Sequence, residues 1–241
     1  MEPFRINIEE SVLIDLKRRL ANTRWPGEIT DSSWQYGANL AYVKKLCDYW
    51  LNEFDWRAQE QRINSFSNFV ASVSGLNVHF IYEKGKGPNS IPLIITHGWP
   101  STFAEMMDII PMLTDPASHG GDESDSFDVI VPSMPGYGFS EKPSNPGVNP
   151  RVIAQMWVDL MTETLGYEKF VAQGGDWGAA ITSALGTNHS DSVDSIHLTM
   201  SSTGTDVQEG VQLSTDEKKF LQHRAWWQEE EGAYGHIQRT R

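Results

Sequence analysis

The chain has 241 residues, 39% hydrophobic and 21% charged, enough for one large α/β domain or a domain with an appendage. Its net charge of −13 argues against a phosphate-backbone partner, so no nucleic-acid role is expected. The one cysteine, Cys47, excludes an internal disulfide and a thiolate metal cluster and suits a reducing, cytoplasmic setting, and no apolar run of about 18 residues predicts a membrane span.

The opening M-E-P-F-R-I-N-I-E-E has neither the basic nor the apolar region of a secretory signal. The first 60 or so residues read as helices. Val12, Leu16 and Leu20 recur on one face, and Val43, Leu46, Cys47, Trp50, Leu51 and Phe54 form a second stripe. Pro26-Gly27 breaks the chain between them. Phe66–Val73 and Val78–Tyr82 read as strands around a turn at Ser74-Gly75-Leu76-Asn77, followed by a short buried strand at Pro92–Thr96. Thr102 and Glu105 form a T-x-x-E box that predicts a helix to about Leu113. The acidic run 121–128 lacks the offsets of a calcium loop and reads as solvated.

Phe127–Val131 is the next predicted strand. Asn149 caps, and Pro150 opens, a helix with Ile153, Met156, Trp157 and Leu160 inward, ending near Gly166. Phe170–Ala172 is a strand, a helix starts near Trp177, and Val193–Leu198 is the sixth strand. Strands alternating with helices imply a mostly parallel sheet with right-handed crossovers. Beyond Met200 a polar loop leads to a charged helix, Ser214–Glu231, opened by a second capping box at Ser214 and Glu217.

The chemistry centres on Gly174-Gly175-Asp176-Trp177-Gly178, a G-x-D-x-G frame between a strand and a helix. Such an elbow forces its tip residue into a strained backbone, at a cost of about 1–3 kcal/mol, and flanking glycines let strand and helix close around it. The positive end of the helix favours an anion there, so Asp176 is expected to be ionised, fixed and partly desolvated. A carboxylate can displace a leaving group from an activated carbon, leaving an ester on the enzyme that water must then cleave. That step needs an oxyanion hole. His97-Gly98-Trp99-Pro100 stands after a strand, and the backbone N–H groups of Trp99 and Trp177 are the candidate donors. An Asp between a strand and a helix also suits a plain helix cap.

With H-G-W-P, P-G-Y-G-F-S-E-K-P and G-G-D-W-G in this order, the chain resembles the epoxide hydrolases of the α/β-hydrolase superfamily, of the microsomal and juvenile-hormone type. The front half carries long matches to that family: L-K-R-R-L-A-N-T-R-W-P, W-Q-Y-G, Y-W-L-N-E-F-D-W-R and I-N-S-F-S-N-F. Ser101-Thr102 after H-G-W-P departs from the usual G-S. The resemblance implies a partial α/β-hydrolase fold with about six of its eight strands. Residues 1–80 would be an N-terminal helical segment running into the first hairpin, 81–200 an incomplete core, and 201–241 the start of a helical cap. It implies a small-molecule epoxide as substrate, Asp176 as nucleophile, Trp99 and Trp177 as oxyanion donors, Tyr234 as proton donor, and neither cofactor nor metal. The family's histidine base, second acid and second cap tyrosine match nothing in the chain, so a truncated protein, inactive alone, is expected. The rival readings are a haloalkane or haloacid dehalogenase, with Trp177 cradling halide, and a non-catalytic fragment.

Overall fold

The computed structural model describes residues 1–200 and 211–232. Residues Met1–Met200 form one compact unit and Ser201–Arg241 another. In the first unit β1 (Glu2–Pro3) precedes three helices, α1 (Glu10–Ala21), α2 (Leu40–Asn52) and α3 (Trp56–Ile63), and the hairpin β2 (Asn68–Val73) and β3 (Leu76–Glu83) follows. Then come β4 (Ile91–Thr96), α4 (Ile110–Thr114), β5 (Phe127–Pro132), α5 (Pro150–Asp159), β6 (Phe170–Gly174), α6 (Trp177–Asn188) and β7 (Val193–Leu198). In the second unit α7 (Thr215–Glu230) opens on the expected capping box of Ser214 and Glu217.

Among the described residues the sheet has seven strands in the order β1-β2-β3-β5-β4-β6-β7, one more than the six predicted. The extra strand is two residues long, pairing Glu2 with Val70 and Pro3 with Phe69, too short to leave an alternating pattern. The hairpin turn is also tighter than expected. Ser74 and Gly75 take φ values of 48° and 84°, so Leu76 and Asn77 already belong to β3. β3 through β5 and back to β2 is antiparallel, while β5, β4, β6 and β7 are parallel.

Alternation in the central strands builds two cores, one on each sheet face. Ile94 and Ile130 join Phe80, Trp157, Leu160, Phe170 and Ile181 on one side. Leu93, Ile95, Val129 and Val131 join Ile63, Phe103 and Ile110 on the other. Each fully buried side chain of this size contributes about 1.5–3 kcal/mol. Asn149 caps α5 as predicted, accepting from the Arg151 and Val152 amides, and Met156, Trp157 and Leu160 are buried; the helix runs on through a wider π turn at Leu160–Thr164.

Two expectations fail. The Thr102 box opens only a 3-10 turn, Phe103–Met106, and α-helix starts again at α4, with Pro111, which has no N–H to reach back to Met107, in its first turn. The apolar stripes of α1 and α2 are not buried: neither helix has a buried residue, and Val12, Leu46 and Trp50 are exposed. Ile6, buried in the second core, and a set of hydrogen bonds tie the residues ahead of α1 to α3. Asn64 donates to the Ile6 carbonyl and accepts from its amide at 2.7 and 2.9 Å, and Glu60, one turn earlier, accepts the Ile8 amide at 2.7 Å. That amide, ahead of Arg57, holds the Glu60 carboxyl below its ordinary range. No helix among the described residues is long and apolar enough to cross a membrane.

Candidate active site

The order β5-β4-β6 reverses direction at β4, and the crevice outside the carboxyl ends of β4 and β6 is where such sheets bind ligands. Thr96, the last residue of β4, is in register with Gly174, the last of β6. The turn after β4, His97-Gly98-Trp99, therefore lies beside the turn after β6, Gly175-Asp176-Trp177. Buried Trp157 fixes this level by donating its indole N–H to Thr96 Oγ1 at 3.1 Å.

Asp176 has φ 51° and ψ −123°, a conformation foreign to a non-glycine residue. The glycines around it leave no room for a side chain. A Cβ on Gly178 would lie 2.0 Å from the Thr96 carbonyl oxygen, and one on Gly98 would lie 2.5 Å from Asp176 Cβ. The side chain of Asp176 does not cap α6; the Ala179 amide bonds to its backbone carbonyl instead, at 3.0 Å. The carboxylate crosses to the neighbouring turn, where Oδ1 accepts the Trp99 backbone N–H at 2.7 Å. Asp176 is exposed, contrary to the partial desolvation expected.

His97 aims that donor. Its Nδ1 lies 3.0 Å from the Gly98 carbonyl, which can only accept, so Nδ1 carries the proton. Nε2 is then free to accept the Met134 amide at 3.1 Å. The Gly98 carbonyl and Trp99 N–H belong to one planar peptide and point opposite ways, so gripping the first directs the second at Asp176. Burial lowers the His97 pKa and keeps the ring neutral, as this pair of bonds requires.

Of the predicted site residues, Trp99 and Asp176 are brought into hydrogen-bond contact. Trp177 is adjacent in sequence, with its indole exposed, but its amide makes no bond to the carboxylate. Tyr234 lies outside the described residues. None of the six described histidines bonds to Asp176, and among the described residues no group of three His, Cys, Asp or Glu is placed to hold a metal ion. Sequence reading put His97 in the turn but missed its pairing with Met134, a contact across 37 positions that no local spacing encodes.

Comparison with known proteins bears on the family. Residues 1–106 match the family model described as epoxide hydrolase N terminus, and residues 91–231 match the alpha/beta hydrolase fold. Epoxide hydrolase 1 of Oryctolagus cuniculus is 39% identical over 83% of this chain and 45% of its own length. Juvenile hormone epoxide hydrolase 2 of Ctenocephalides felis is 36% identical over 92% of this chain and 46% of its own. The chain thus spans about half the length of these curated relatives. Among solved structures, the Aspergillus niger epoxide hydrolase aligns with a TM-score of 0.79 at 28% identity, covering 100% of this chain and 63% of that one. The juvenile hormone epoxide hydrolase of Bombyx mori aligns at 0.73 and 29%, covering 83% and 52%. With an epoxide hydrolase N terminus at its front, the alpha/beta hydrolase fold behind it and these relatives beside it, this chain belongs to the epoxide hydrolases of the α/β-hydrolase fold.

Proposed function

We propose that the chain opens small-molecule epoxides by nucleophilic attack of Asp176. The observation that carries this reading is the 2.7 Å bond from the Trp99 amide to Oδ1. It anchors one carboxylate oxygen and leaves the other to strike a ring carbon. The ring C–O bond breaks, the new C–O bond makes an alkyl ester, and the released alkoxide takes a proton. Resemblance to the family assigns that proton to Tyr234. With a carboxylate nucleophile, the oxygen that later becomes the oxyanion is the nucleophile's own second oxygen. It already sits on the Trp99 N–H, so one donor of the proposed hole holds it before water attacks the ester, and Trp177 N–H is proposed as the second. Losing one such donor typically costs about 2.7–4 kcal/mol of barrier.

Ester cleavage needs a general base. His97, neutral and with both ring nitrogens engaged, is not available for it. A polypeptide of these 241 residues is therefore proposed to stall at the ester. The lone Cys47 fits a reducing compartment such as the cytoplasm.

Intact-mass analysis after incubation with styrene oxide tests the proposal. One adduct is expected, mapping to Asp176 and missing from Asp176→Asn. No adduct would remove Asp176 as nucleophile, and sustained diol formation would remove the stall. Chloride release from 1-chlorobutane would instead select the dehalogenase reading.

A further inference from the structure

Ser140 ends the run P-G-Y-G-F-S and is 8% exposed. Its hydroxyl has two partners that admit only one arrangement. The His79 backbone N–H can only donate, and it reaches Ser140 Oγ at 2.9 Å. The Ser133 carbonyl can only accept, and Oγ donates to it at 2.7 Å. That carbonyl shares a planar peptide with the Met134 N–H, which points the opposite way, at His97 Nε2. From His97 the direction continues through the Gly98 carbonyl to the Trp99 N–H and Asp176 Oδ1. Five hydrogen bonds thus run head to tail from the His79 amide to the carboxylate. Bonds aligned in this way polarise one another, so the last is strengthened by those behind it. The Ser133 hydroxyl cannot stand in for Ser140, because it is engaged with His79 Nδ1 at 2.9 Å. The loop between the two serines is closed by the Tyr137 amide on the Met134 carbonyl, at 2.8 Å, and the Ser140 amide on the Tyr137 carbonyl, at 3.0 Å. The ring of Tyr137 packs edge-on against His97 with centroids 5.4 Å apart, which holds the imidazole in line.

We infer that Ser140 is a positioning residue: without touching the substrate, its hydroxyl sets the aim and strength of the Trp99 N–H on Asp176. This role presupposes that Asp176 is the nucleophile. It weighs most once the ester exists. The ester carbonyl oxygen is then Oδ1, and attack on Cγ places negative charge there, facing the Trp99 N–H. The rate of ester breakdown therefore reads the relay directly.

Two measurements on the unmodified chain, Ser140→Ala, Ser140→Thr and Ser126→Ala test this. Ser126 is also buried, but it stands ahead of β5 where Ser133 follows it, and its hydroxyl bonds the Gly87 amide and Ser90 Oγ. Its truncation therefore reports lost stability alone. First, the Trp99 amide is followed by NMR in protein carrying isotope-labelled tryptophan, and assigned by Trp99→Phe. Its proton should move upfield by several tenths of a ppm in Ser140→Ala, return in Ser140→Thr, which keeps the hydroxyl, and stay in place in Ser126→Ala. Second, the styrene oxide adduct is released with hydroxylamine and followed by intact mass. Nitrogen attacks Cγ, the acyl C–O bond breaks, and the diol leaves with the proton that nitrogen gives up, so that Asp176 becomes a hydroxamate. Release should be roughly tenfold slower in Ser140→Ala, a fraction of the hundredfold or more that an oxyanion donor lost outright costs. An unmoved Trp99 proton or an unchanged release rate in Ser140→Ala overturns the role, as do equal changes in Ser126→Ala or a folded Ser140→Thr that restores neither. If the added methyl group prevents folding, the Ser126→Ala comparison decides alone. Absence of adduct in every chain removes the nucleophile and this role with it, whereas an unmoved proton beside a normal adduct removes Ser140 alone.

Discussion

At residue 176 the backbone and the side chain make opposite demands. A φ of 51° with ψ −123° suits glycine, yet only a carboxylate can reach the Trp99 amide. Strain of this kind costs about 1–3 kcal/mol and persists because the packed glycines on either side overdetermine the turn. Comparing two substitutions isolates it, since both remove the carboxylate and only one keeps a Cβ. Asp176→Gly should be more stable than Asp176→Ala by about 1 kcal/mol or more in urea unfolding, and neither should form an ester. Equal stabilities would mean that the elbow holds no strain in solution. The frame G-x-D-x-G and the H-G-W-P turn made both halves of this site legible, because each demands glycine where no Cβ fits. That the Trp99 amide, and not the Trp177 amide beside it, bonds to the carboxylate was not legible. It depends on the orientation of one peptide plane, set by His97 through a contact distant in sequence.

Among the elements, β3 carries a buried histidine that joins three segments. His79 Nε2 lies 3.0 Å from Asn68 Oδ1, and the Asn68 amide nitrogen already donates to the Ile63 and Phe66 carbonyls. The oxygen therefore accepts, Nε2 carries the proton, and Nδ1 accepts from the Ser133 hydroxyl at 2.9 Å. The His79 amide donates to Ser140 Oγ, so the loop that supplies Tyr137 hangs on this residue. Burial drives the His79 pKa from 6.5 down to about 4. The unfolded chain then takes up a proton as pH falls below 6.5 while the folded chain does not. Stability should be flat in this respect above pH 6.5, fall progressively toward pH 4, and lose about 3 kcal/mol across that window. His79→Gln, which cannot titrate, should be less stable at pH 7 yet lack this slope in urea denaturation; parallel curves would rule out His79. The strand itself was legible as an apolar run beside a turn signal, as were the other long strands, and so was the Asn149-Pro150 start of α5. The Thr102 helix was misread because a capping box marks where a helix starts and not how far it runs, and Pro111 favours a fresh first turn at α4; β1 was missed because two residues carry no period.

On the scale of the molecule, the sheet ends at β7, whose partner among the described residues is β6 alone. Among the described residues no strand pairs with the outer backbone N–H and C=O groups of β7, and Ser195, Ile196 and His197 are exposed along it. Unpaired edges recruit other strands, whereas a lysine placed on them resists pairing. The net charge of −13 works against such contact until salt screens it. A polypeptide of these 241 residues should therefore associate as concentration rises, and more strongly at 0.5 M than at 0.05 M salt. Ser195→Lys changes an exposed residue and leaves Ile196 packed over Gly186 on α6. It should shift the association midpoint, followed by sedimentation velocity, several-fold higher without altering the unfolding midpoint. A monomer at every concentration and salt, or a Ser195→Lys variant that associates unchanged, would show that this edge is not where the molecules meet.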